Sequence, residues 1–98
     1  MSLEELLIGI LGVRGSWLIE LVEEEWEGKV WARLGKVVDA VVRVGEEELR
    51  GLEALKFLLK KSSQIDSAYL KPIDEEVESS MSVDSMELFE LIGQEEKD

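Results

Sequence analysis

Apolar residues open the chain at three- and four-residue steps: Leu3, Leu6, Leu7, Ile10 and Leu11. That spacing stacks them along one side of a helix. Ser2 and Glu5 supply a capping box, in which the Ser2 oxygen accepts from the Glu5 amide while the Glu5 carboxylate reaches back. The pattern predicts a helix over 3–11, with Gly12 as its left-handed stop. From Gly15 the residue types change. Gly15 to Val22 is dense in β-branched and aromatic side chains and predicts a strand, whereas Glu23, Glu24, Glu25, Trp26 and Glu27 read as a solvated loop, since adjacent carboxylates repel one another. Lys29–Leu34 and Lys36–Val44 read as two further strands, joined by a tight turn at Leu34 and Gly35 where Gly tolerates positive φ.

Gly45–Arg50 reads as a polar connection. Gly51–Lys60 then places Leu52, Leu55, Leu58 and Leu59 on one side of a second helix, with Lys60 and Lys61 at the negative end of its dipole. Gln64–Lys71 predicts a fourth strand, ended by Pro72, which has no amide proton for a ladder. The folded body is expected to stop near Ile73. Residues 74–82 form an acidic, Ser-rich linker without apolar periodicity. Beyond it, residues 83–93 predict an amphipathic helix capped by Ser82 or Asp84: Met86, Phe89 and Ile92 share one side, Leu88 and Leu91 lie close by, and Gly93 ends it. Residues 94–98 are an acidic tail. The expectation is therefore an α+β fold: a small antiparallel sheet of a three-stranded meander plus a fourth strand, two packing helices, and a tethered C-terminal helix.

Charge narrows the partners. The chain of 98 residues carries a net charge of −12. Residues 1–73 hold 13 acidic and 10 basic groups, a net of −3, while residues 74–98 hold 10 acidic groups and only Lys97, a net of −9. Such a field repels phosphate backbones and anionic lipid, so neither nucleic acid nor a membrane is an expected partner. Length allows one domain with one modest core. No apolar run approaches the roughly 18 residues of a membrane span, and no signal-peptide pattern opens the chain, which points to a cytoplasmic setting. His and Cys are absent, and with Thr and Asn also missing and Glu abundant the usage leans towards a heat-tolerant source.

Without His or Cys, and without a nucleophile elbow, a phosphate-binding loop or a dinucleotide-binding turn, no arrangement for catalysis is legible, so the chain is read as a non-enzyme with no cofactor. The Glu23–Glu25 and Glu46–Glu48 clusters lack the alternating oxygens and central Gly of a calcium loop and read as solvated rather than as metal sites. Asp39 is the one carboxylate inside an apolar strand, and its simplest role is a hydrogen-bonded structural one.

The run from Gly28 through Trp31, Leu34 and Gly35 to Asp39 and Ala40 resembles the PATAN-type domain family, in which a strand ends in a Gly turn and the next strand ends in Asp or His followed by Ala. Gly51 and Ala54 resemble that family's Gly-x-x-Ala helix start, and the leading Leu-rich helix agrees with its element order, so the likeness spans roughly residues 3–73. Ala32 and Leu34 depart from the pattern, standing where the family tends to have a bulky aromatic and a polar turn residue. The resemblance implies a module of bacterial signalling proteins, often joined to receiver domains and associated with protein contacts, without catalytic residues.

If Leu34 and Gly35 form a two-residue turn, strict alternation puts Val30, Ala32, Val37 and Val41 on one face of the sheet and Trp31, Val38, Ala40 and Val42 on the other. Both faces then read as partly apolar, and two helices cover only one. A partner, a second copy or the C-terminal helix is needed for the other. On that second face Lys29, Arg33 and Lys36 flank Trp31, a composition suited to anchoring an acidic partner; alternatively Trp31 packs under the helices and the cations reach into water. The C-terminal helix, through Met86, Leu88, Phe89, Leu91 and Ile92, is expected to dock on its own sheet or on a neighbouring subunit. The function expected is a protein-interaction module acting as a signalling adaptor; a homodimeric structural module and a small-ligand sensor are the alternatives.

Overall fold

Two tight turns set the sheet. In the computed structural model, which describes residues 3–13, 15–61, 65, 68–74, 79 and 81–96, Leu34 and Gly35 take φ of 51° and 81°, and Arg33 stands opposite Lys36. Positive φ at both central residues is the signature of the hairpin turn whose twist matches its strands. It joins β2 (Trp26–Arg33) to β3 (Lys36–Val44). Gly45, with φ of 61°, opens a second two-residue turn into β4 (Glu47–Arg50). With β1 (Ser16–Val22) and β5 (Ala68–Pro72) the strands form one antiparallel sheet in the order β4-β3-β2-β1-β5.

The sheet thus has five strands where four were expected, because the stretch read as a connection, Gly45–Arg50, is a two-residue turn followed by the strand Glu47–Arg50. Its charged residues hid it: β4 lies at a sheet edge, where Glu and Arg face water without cost. β2 also begins earlier than expected, at Trp26, whose ring meets the Phe57 ring edge-on at a centroid distance of 5.5 Å. β5 starts at Ala68 and ends at Pro72; Gln64 lies outside the described residues, as does the expected Ser2 cap.

Helix α1 (Leu3–Leu11) buries Leu3, Leu7, Ile10 and Leu11, the stripe its spacing predicts. Gly12 does not take a left-handed conformation; the chain leaves α1 through bonds from Gly12 N–H to Gly9 O and from Val13 N–H to Ile10 O, and the positive φ falls at Gly15. Helix α2 (Leu52–Lys60) buries Ala54, Leu55, Leu58 and Leu59.

The C-terminal segment joins the same core. Val37 and Val83 pair as an isolated bridge on the stretch of β3 that β4 leaves free, and Met81 N–H donates to Val38 O. Helix α3 (Ser85–Glu96) follows, capped by Asp84, whose Oδ1 accepts from Glu87 N–H at 2.9 Å. It passes through Gly93 instead of ending there. Val83, Leu88 and Ile92 are buried in the cluster formed by α1, α2 and the sheet, so the core extends beyond Ile73 and the helix docks in cis. All three helices pack together over one face of the sheet.

Candidate functional site

β3 carries one residue too many for its partner. Trp31 stands opposite Asp39 but Ala32 opposite Val37, leaving Val38 as a bulge. A bulge shifts the alternation of everything beyond it by one. Val30, Ala32, Val37, Ala40 and Val42 therefore all point into the core, and Asp39, Val41 and Arg43 take the opposite face. The expected division of residues between the two faces fails for this reason: Ala40 and Val42 are core residues, and Val41 has changed sides, although the outer face stays partly apolar through Leu18, Val22, Trp31, Val41 and Tyr69. Val38 is 6% exposed, outside the main cluster, and offers no surface to a partner. The signal available in the sequence was Asp39 itself, a carboxylate that strict alternation would have left on the core face beside Val37. Its Oδ1 accepts from the Ala40 amide at 2.8 Å.

The face turned away from the helices is charged and open. Register places its residues in rows across the strands. Lys71, Leu18, Trp31 and Asp39 form one row; Tyr69, Glu20, Lys29, Val41 and Arg50 the next; Val22, Glu27, Arg43 and Glu48 a third; Ser16, Arg33 and Lys36 the last. Six cations meet four carboxylates on it, a net of +2 on a chain whose net is −12. Its centre is a shallow depression of about 420 Å³ lined by Trp31, Lys29, Val41, Arg43, Arg50 and their neighbours.

The cations divide into two sets. Lys71 pairs with Glu20 at 3.1 Å, Arg50 with Glu48 at 3.1 Å and Arg43 with Glu27 at 3.8 Å. Lys29, Arg33 and Lys36 make no ion pair among the described residues. These three flank Trp31, as the sequence anticipated. Trp31 is half-buried and lies on this face, not beneath the helices. Arg33 and Lys36 stand directly opposite each other, a like-charged cross-strand pair that costs the sheet about 0.2–1 kcal/mol. Sequence reasoning missed Leu18, Val41 and Lys71 as companions of Trp31, because only the pairing of β1 with β2 and β5 brings them there.

The remaining candidates have structural places. Gly28 sits on the core face, where a Cβ would stand 3.0 Å from Leu58 Cδ2. Gly35 makes the turn, Gly51 caps α2 with φ 64° and ψ −134°, and Ala40 and Ala54 are buried. Of the C-terminal set, Leu88 and Ile92 are buried, Leu91 partly so, and Met86 and Phe89 face outwards. Among the described residues no three acidic side chains converge as metal ligands, and no helix is long and apolar enough to cross a membrane.

Comparison with known protein families, with characterised proteins and with solved structures gives no match.

Proposed function

We propose that this chain is a non-catalytic protein-recognition module, an adaptor of bacterial signal transduction working in the cytoplasm, whose open sheet face takes an acidic segment of a partner protein around Trp31. The observation that carries the reading is the set of three cations, Lys29, Arg33 and Lys36, that make no ion pair among the described residues around a half-buried indole. A sequence this rich in Glu has ample means to neutralise them locally, yet two are set against each other across the hairpin. A local rule broken without an internal gain points to a function outside the fold. Clustered cations focus positive potential, and Trp and Arg are among the residue types enriched where interfaces draw their energy. The PATAN resemblance of Gly28–Ala40 and Arg50–Ala54 supplies the signalling setting.

A labelled acidic peptide set, with neutral and basic sets as controls, tests this by fluorescence anisotropy. Acidic peptides bind, the affinity falls as salt rises, and Trp31→Ala or the double change Arg33→Glu/Lys36→Glu weakens binding roughly tenfold or more, at about 1.4 kcal/mol per factor of ten. Binding that ignores charge, or that survives both variants, overturns the reading.

A further inference from the structure

Helix α3 is apolar on two sides. Leu88 and Ile92 enter the core, whereas Met86 is 74% and Phe89 56% exposed. At 3.6 residues per turn, Glu90 and Gly93 join Met86 and Phe89 on the outward side. Glu87 and Glu90 are exposed, and no basic residue occupies the last turn. The outward side of α3 thus sets the Glu90 carboxylate beside Met86 and Phe89, the chemical complement of a cationic surface centred on Trp31, while Glu87 lies about 160° round the helix from Phe89. The two cannot meet within one chain, since α3 packs with α1 and α2 over one face of the sheet and Trp31 lies on the other.

We infer that the outward side of α3 of one copy docks on the Trp31 face of the next, with Phe89 against Trp31 and Glu90 towards Lys29, Arg33 and Lys36. This rests on the recognition reading above and names the acidic segment. The dimensions agree: twelve residues of α3 extend about 18 Å, and five strands spaced at about 4.8 Å make a face roughly 19 Å across. Repulsion between two copies of net charge −12 is screened beyond about 8 Å at physiological salt, so the contact chemistry decides. Because the two surfaces lie on opposite sides of the molecule, the contact is heterologous. Two copies do not close it, and it propagates head to tail.

Sedimentation velocity of the full chain over a wide concentration range tests the inference, with Phe89→Glu and Arg33→Glu/Lys36→Glu as variants whose changed residues are all exposed and whose folding is checked by circular dichroism. The wild-type chain gains mass without a plateau as concentration rises. Each variant alone is a monomer. Mixed in equal amounts they form a species of twice the monomer mass and nothing larger, because the first keeps its cationic face and the second keeps its helix. A wild-type chain that stays monomeric, one that stops at a dimer, a variant that still grows, or a mixture that does not pair overturns the inference. If the wild-type chain is monomeric yet still binds acidic peptides through Trp31, the second-copy assignment alone falls; if it binds none, the recognition reading falls with it.

Discussion

Val37 and Val83 exchange two backbone hydrogen bonds, Val37 N–H to Val83 O at 2.8 Å and Val83 N–H to Val37 O at 3.0 Å. This clip anchors Val83 to the edge of β3, and α3 follows directly from it. Leu88 is fully buried among residues of α1, α2 and the sheet, whereas its neighbour Phe89 is mostly in water. Leu88→Ala therefore costs about 2–5 kcal/mol, the range for a buried Leu that leaves a cavity, and Phe89→Ala less than about 0.5 kcal/mol, as expected of an exposed site. Urea unfolding of the two variants checks the contrast. Equal losses would mean that α3 does not dock through the side that carries Leu88.

Leu34 is a poor residue for the turn it occupies. Its φ of 51° places a γ-branched side chain in the left-handed region, at a cost of roughly 1–2 kcal/mol for an L residue, relieved in Asn and Gly. The side chain is 69% exposed, so little burial is forfeited by replacing it. Leu34→Asn is expected to raise stability by about 1 kcal/mol while the backbone bond from residue 34 N–H to Gly15 O remains. A higher urea midpoint with an unchanged slope is the result to look for.

Helix positions were legible because their signal is redundant. In α1 every buried residue falls on the stripe that the spacing of Leu3, Leu7, Ile10 and Leu11 defines, and a slip of one residue would spoil all of them. The β2–β3 hairpin was legible through Gly35. What escaped was set by single residues: the bulge at Val38 reverses the facing of Ala40, Val41 and Val42, and period-two reasoning has no means of placing it. β4 escaped because an edge strand of Glu47, Glu48, Leu49 and Arg50 needs only Leu49 turned towards the core. Trp31 with Lys29, Arg33 and Lys36 was found because residues two apart share a face on any strand; the rest of the face depended on which strand lay beside which.

Gly28 belongs to packing and not to recognition. A Cβ there would meet Leu58 Cδ2 at 3.0 Å, Val41 O at 3.4 Å and Val42 Cγ2 at 3.5 Å, so α2 rests on the bare backbone of β2. Gly28→Val overfills this contact and costs about 1–3 kcal/mol. Combined with Leu58→Ala it loses less than the sum of the single changes, by about 1 kcal/mol, since the two residues compete for one space. Strict additivity in a double-mutant cycle would show that α2 lies further from β2 than the structure places it.

Lys36 separates the stability of the fold from its use. Standing opposite Arg33 across the hairpin, it sets like charges side by side, and Lys36→Glu turns that repulsion into attraction on the same two strands. The sheet should gain about 0.5 kcal/mol, within the range of cross-strand charge pairs and reduced by screening at the exposed surface. Affinity for an acidic partner should fall in the same protein, because one of the three cations around Trp31 becomes a carboxylate. Urea unfolding and acidic-peptide titration on one preparation measure both. A gain in stability with a loss of binding is the trade expected where a site is kept at the expense of the scaffold, and a variant that is destabilised as well would show that Lys36 is held by contacts other than those of the open face.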